Sequence, residues 1–241
     1  MVKKIATIHQ PNYLPWIGLF SKLAQSDCFI IYDEAQYSKN GFTNRSKIRT
    51  PTGFSYLTIP VSKSSSFTRI MDVTLPQDGD WKLRHWKSIY QNYIKTSFFK
   101  DHLPFFDDLY QSDFEYLWQI NEKILRYLLK CFQIEVEIFK ASDLKVSTNL
   151  HKTDYLIACL KETGADVYLS GPSGKDYLEY EKFASHDIGL KFSKFQHPIY
   201  KQRYPGFEPN LSAIDLLFNT GSQASQIIME SGNMEEAQVR M

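Results

Sequence analysis

Two histidines, each close to a proline, are the side chains of this chain best suited to moving a proton. One lies in Ile8-His9-Gln10-Pro11-Asn12-Tyr13-Leu14-Pro15-Trp16, the other in Phe195-Gln196-His197-Pro198-Ile199-Tyr200 with Gln202 just beyond. Imidazole titrates near neutral pH, so either ring could serve as acid, base or charged donor. Proline fixes φ and gives up an N–H, so Pro11 and Pro15 freeze the first connector into one shape. A rigid connector carrying an imidazole suits a built site better than a spacer. His9, His197 and Asn12 are therefore the catalytic candidates. Gln10, Tyr13 and Tyr200 are candidates for holding a substrate.

A third segment, Ser170-Gly171-Pro172-Ser173-Gly174-Lys175, has the composition of an anion-binding turn. Its glycines let the backbone approach a ligand, successive N–H groups can form a nest, and Lys175 adds charge. It is not a Walker loop, because the glycines are too close and Asp176 stands where Ser or Thr belongs. Asn44-Arg45 adds an amide and a fork donor suited to phosphate or carboxylate. Asp33 and Glu34 end an apolar run, where a carboxylate could bind a hydroxyl, a metal or an amine, whereas Asp27 suits a turn. Each has a plainer alternative: a capping histidine, a surface arginine, an ordinary turn before a helix. His85, between Trp81 and Ile89, has the spacing of a packing residue. His102, His151 and His186 sit in loop-like or solvent-facing surroundings. No metal-ligand spacing and no G-x-S-x-G elbow is present, so no metal site is expected, and the residues assign no cofactor.

The elements that must position these groups read as an α/β chain. Lys3 to Ile8 suits a strand, Leu14 to Gln25 a helix, and Cys28 to Tyr32 a strand buried on both faces. Together they make a βαβ unit. Arg45 to Arg49 and Phe54 to Pro60 flank a Pro-Gly turn and suggest a hairpin. Ser62 to Ser66 suggests a loop, and Ile70 to Thr74 a short strand. From Asp80 to Phe132 the spacing turns helical: two long helices with a shorter one near His102 to Tyr110, started by Pro104. Glu135 to Lys140 returns to strand. Ser147 or Thr148 could cap a helix running to Thr163, before strand Val167 to Leu169, the glycine turn, a helix and strand Leu190 to Phe195. Two helices, Ser212 to Asn219 and Ser222 to Glu230, precede a tail expected to be loose from Ser231. The expectation is a mostly parallel, Rossmann-like sheet in one domain over residues 1–230, with a helical insertion at about 80–132 and a small β-hairpin. Ligands of such sheets sit at the carboxyl ends of the strands, where both the His9 and Gly171 loops fall.

Composition narrows the function. Lys plus Arg number 28 against 27 Asp plus Glu, so no global field steers the chain to nucleic acid. No apolar run is long enough for a transmembrane helix, and the start lacks a signal-peptide core. The three cysteines, Cys28, Cys131 and Cys159, are far apart among apolar neighbours, which suggests buried thiols and a cytoplasmic location. Aromatic residues make up 15% of the chain, enough for a ring-rich core or a ring-lined cleft suited to sugars or bases.

The His9 segment, continued by Gly18 and Phe20, resembles the opening of the WbqC-like protein family. Further similar strings follow in order: Asn44-Arg45 ahead of an isoleucine, Leu57-Thr58-Ile59-Pro60, Ser170 to Lys175, His197-Pro198, and Leu211-Ser212-Ala213-Ile214-Asp215-Leu216-Leu217-Phe218-Asn219. The resemblance spans roughly Ile5 to Gly221. It implies a place in bacterial surface-polysaccharide (O-antigen, lipopolysaccharide) biosynthesis, and a transferase attaching an acyl or glycyl group to an activated sugar. The acceptor would be a free or carrier-bound sugar. A nucleotide-sugar or an acyl carrier thioester would be a substrate, with an acyl carrier protein as a partner. In that chemistry His9 or His197 takes the proton, the Gly171 turn and Asn44 face the oxyanion, and Arg45 and Lys175 hold diphosphate. The element order is also similar to nucleotidylyltransferase-like proteins, but Asn12 replaces the second histidine of their paired motif. A non-catalytic sugar-binding assembly factor is the third reading.

Overall fold

The computed structural model describes residues 2–62, 67–147, 149–150 and 152–237. β1 (Ile5–His9), α1 (Ile17–Leu23) and β2 (Cys28–Ile31) form the first βαβ unit, β1 and β2 being parallel. In β2, Phe29 and Ile31 enter one hydrophobic core while Cys28 and Ile30 enter another. The unbroken apolar run is thus a strand covered on both sides. α1 starts at Ile17 rather than Leu14. Leu14 takes a left-handed φ of 43° and Trp16 is extended, so the proline segment cannot be helical.

After β2 come the hairpin strands β3 (Arg45–Thr50) and β4 (Gly53–Thr58), then three helices, α2 (Trp81–Tyr93), α3 (Phe99–Gln111) and α4 (Leu117–Cys131). Their buried faces join the core that holds Phe29 and Ile31. In α2 the inward residues are Trp81, His85, Ile89 and Tyr93, the spacing legible in the sequence. Two expectations need correction. Ile70–Asp72 is a single 3₁₀ turn, and only Thr74 makes a bridge, to Tyr116. Pro104 lies inside α3, not at its start. It is on the exposed side, where water can bond the carbonyl that proline leaves without its N–H.

The chain then returns to the sheet through β5 (Glu137–Lys140), α5 (Lys152–Glu162), β6 (Val167–Ser170), α6 (Tyr180–Ser185) and β7 (Gly189–Phe195). α7 (Ala213–Thr220) and α8 (Gln223–Glu230) follow, and Gly232–Glu236 forms β8 where a loose tail was expected. This strand pairs antiparallel with β7, and its Glu235 and Glu236 meet Lys175, Lys194 and Lys191. Its charge marks it as an edge strand. The expected caps and loops at Thr148, His151 and 63–66 lie outside the described residues.

Strand order in the six-stranded sheet is β5-β2-β1-β6-β7-β8, parallel except for β8. The five parallel strands therefore follow the Rossmann sequence 3-2-1-4-5. α1, α4, α7 and α8 cover one face, and α5 and α6 the other. The topological switch lies between β1 and β6, the expected ligand position in such sheets. Among the described residues, no helix is long and apolar enough to cross a membrane.

Candidate functional site

The segment between β1 and α1 is tied to the fold by its own backbone. Tyr13 N–H donates to the Phe42 carbonyl at 3.1 Å, and Ser46 Oγ donates to the Leu14 carbonyl at 2.7 Å. Ala213 N–H donates to the Pro15 carbonyl at 2.8 Å, and Trp16 bridges to Ser212. With two prolines and a left-handed Leu14, the loop is held in one conformation.

At the switch point, beside this loop, opens a cleft of about 530 Å³. Its floor and walls include His9, Gln10, Trp16, Lys22, Tyr32, Ser170, Gly171, Ser173 and Phe195. Trp16 meets Phe195 edge to face at 5.0 Å, and Tyr32 stacks on Tyr155 at 5.2 Å, so two walls are braced ring surfaces. Among the described residues, Lys22 and Lys152 are its charged ones, and no carboxylate lines it.

His9 ends β1 with its ring half-buried. Its Nδ1 lies 2.8 Å from the Gln10 carbonyl. A carbonyl only accepts, so Nδ1 carries the proton and Nε2 keeps its lone pair. Burial, then the charge of Lys22, lowers its pKa to about 4. The ring is neutral at physiological pH.

Lys22, which the sequence reading passed over, is the residue that most changes the site. It is only 4% exposed, and no described residue accepts a hydrogen bond from its ammonium or pairs with it. Burial brings its pKa down to about 8. Lysines are almost never fully buried unless paired. Gly18, one turn earlier, explains how an indole also fits here. A Cβ at Gly18 would come within 2.3 Å of the Trp16 ring, so the glycine lets Trp16 lie flat on α1. Sequence could have flagged Lys22, because it falls on the face of α1 that carries Gly18 and Leu19.

Of the residues singled out from sequence, the structure brings His9, Gln10, Ser170, Gly171 and Ser173 into this cleft. Gly174 sits beneath the turn, where a Cβ would come within 2.2 Å of Ser170 Oγ. Others stand elsewhere. Lys175 turns to Glu235 and lies 5.4 Å from the Phe192 ring, in a wider groove of about 1190 Å³ by β8 whose lysines already meet carboxylates. His197 gives Nδ1–H to the Pro198 carbonyl at 2.9 Å and accepts from Asn210 N–H at 3.0 Å, so both ring nitrogens serve its own loop. Asn12 and Tyr13 border a different groove of about 330 Å³ with Phe42 and Asn210, beyond Trp16. The Tyr13 hydroxyl is buried against His85 Nδ1, at 2.9 Å, and Tyr110.

Asp33 accepts from Ser142 N–H at 3.1 Å and Ser142 Oγ at 2.6 Å, beside a void of about 10 Å³ that Gln10 also touches. Asn44 donates to the Ile59 carbonyl at 2.8 Å, and Arg45 lies on the Tyr56 ring at 4.3 Å. Tyr200 donates to buried Asp215 at 2.8 Å, as Tyr93 does at 3.0 Å. Burial raises Asp215 to about 6. These groups join loops, hairpin and helices to one another rather than facing the His9 cleft.

Three comparisons bear on this geometry. The model of the WbqC-like protein family matches residues 10–227. Uncharacterized protein Rv1507c of Mycobacterium tuberculosis is 32% identical over 225 residues, covering 92% of this chain and 96% of that protein. No solved structure matches the chain.

Proposed function

The chain belongs to the WbqC-like protein family, and on that premise we propose that it is a transferase of surface-polysaccharide assembly, joining an acyl or aminoacyl group to a sugar held in the His9 cleft. One observation carries the reading. A neutral imidazole, fixed through Nδ1, lines a ring-walled cleft whose described charged side chains are lysines, with no carboxylate among them.

In this chemistry His9 Nε2 takes the proton from a sugar amine or hydroxyl as that group attacks the acyl carbonyl carbon. A new C–N or C–O bond forms, and the carbonyl electron pair moves to oxygen. The backbone of the Gly171–Ser173 turn supplies the polar surroundings for that oxyanion. When it collapses, the bond to the leaving group, the thiolate of a carrier thioester, breaks. The thiolate takes the proton from the imidazolium, which returns His9 to its starting form. Ring walls at Trp16, Tyr32 and Phe195 offer broad, low-entropy surfaces for a pyranose or a base.

The test is mass spectrometry of amino- and hydroxy-sugar nucleotides incubated with acyl and glycyl thioesters. A product heavier by one acyl group is expected. Replacing His9 by alanine should slow its formation by about 10²- to 10⁴-fold. Unchanged transfer by His9→Ala would end this mechanism.

A further inference from the structure

A buried lysine without a counter-ion is an unfinished electrostatic arrangement. Lys22 lines the cleft with no described acceptor, Lys152 is the second cation of the same lining, and no carboxylate shares it among the described residues. Removing a charge from water costs several kcal/mol unless a partner returns the lost interaction. No described residue supplies that partner, so a ligand can. Carboxylate ligands would balance one lysine. Two cations in a cleft of about 530 Å³, beside aromatic walls, match a larger and more highly charged group.

We propose that Lys22 anchors the diphosphate of a nucleotide-linked sugar in the His9 cleft, with Lys152 as the second cation, and that this anion arms His9 as a base. The substrate class rests on the transferase reading, whereas the anion site does not. It moves diphosphate binding from Arg45 and Lys175, whose side chains lie on Tyr56 and against Glu235, to a lysine that shares the cleft with His9. Lys22's charge is the second cause of the low His9 pKa, after burial. A diphosphate seated on Lys22 offsets that charge and adds negative potential, so imidazolium becomes easier to form. A base is most effective near the operating pH, and an imidazole at about 4 is far from it until the ligand binds.

The surroundings leave this coupling readable. Among the described residues, the other titratable groups in the lining are Tyr32, Tyr168 and Tyr177, all raised above the ordinary tyrosine value by burial, and exposed Lys152. Behind α1, the charges on β7 and β8 pair among themselves or with Lys175. On α8, Glu230 accepts from Gln226.

The experiment uses the full chain, calorimetry with UDP, inorganic diphosphate, uridine and acetate, and NMR titration of His9. UDP and inorganic diphosphate should bind, with uridine and acetate at least about tenfold weaker, the scale of one charge-assisted hydrogen bond. Lys22→Met should lose about tenfold or more in diphosphate affinity. Binding should raise the His9 midpoint in the wild type. In Lys22→Met that midpoint should start higher and respond less. Equal binding of UDP and uridine, acetate binding as tightly as diphosphate, or unchanged affinity in Lys22→Met would overturn the proposal. So would a His9 midpoint indifferent to diphosphate. If these binding results hold while no acyl transfer is found, the transferase reading fails and the anion site stands.

Discussion

Replacing Lys22 by methionine should make the fold more stable, and by an amount that depends on pH. Methionine keeps an unbranched stem of similar length and removes the charge. In the folded chain Lys22 titrates at about 8, against 10.5 in its ordinary setting. Between those values the unfolded state binds a proton that the folded state refuses. Folding is therefore weakened as pH falls through 10.5, and below about 8 the loss is constant. At 1.36 kcal/mol per pKa unit, the full loss is about 3 kcal/mol at pH 7, and the same linkage leaves about 1.4 kcal/mol at pH 9.5. Lys22→Met should gain these amounts relative to wild type. Urea denaturation at the two pH values, with an unchanged m-value, reads the difference directly. A variant no more stable than wild type at pH 7 would refute the claim of an uncompensated buried ammonium. So would a gain of equal size at both pH values.

Three further outcomes follow from the same geometry. Gly18→Ala places a Cβ 2.3 Å from the Trp16 ring, so in thermal unfolding it should cost about 1–3 kcal/mol where an open helical site would gain from alanine. Indole fluorescence should shift with it. His9 should titrate near 4 by NMR in the free protein, and it should weaken folding as pH falls from 6.5 towards 4, because the unfolded chain takes the proton first. A midpoint near 6.5 would contradict its placement. Tyr13→Phe leaves His85 Nδ1 and the Tyr110 hydroxyl without their shared partner and should cost about 1–3 kcal/mol in denaturant unfolding, while leaving the His9 titration unmoved.

Much of the architecture is legible in the sequence because its strands are continuous apolar runs and its helices keep their spacing. The Cys28–Ile31 run and the Trp81, His85, Ile89, Tyr93 series show their burial without help. β8 is not legible, since Gly232–Glu236 carries no apolar alternation and is held by backbone pairing and by lysines from β7 and the Gly171 turn. Pro104 misleads because a proline on the solvent side of a helix costs less than one facing the core.

The site divides in the same way. His9, Gln10 and the Ser170–Ser173 turn follow strand ends on either side of the switch point, and strand order brings them together. His197 has similar local chemistry, but its nitrogens satisfy loop backbone, which no local string reveals. Lys22 was missed for the opposite reason. Within a helical stretch, a lysine next to Leu23 reads as a solvent-facing residue; its place on the Gly18–Leu19 face was the available signal, and the packing of α1 against β7, β8 and α8 buries that face.

A crystal structure of the full chain soaked with a UDP-linked amino sugar is the most direct measurement of where the chemistry takes place. The account predicts the ligand between β1 and β6, its diphosphate within hydrogen-bond reach of Lys22 Nζ and its nucleophile beside His9 Nε2. Density instead in the Phe42–Asn210 groove, or in the groove beside Lys175, with His9 untouched, would contradict it.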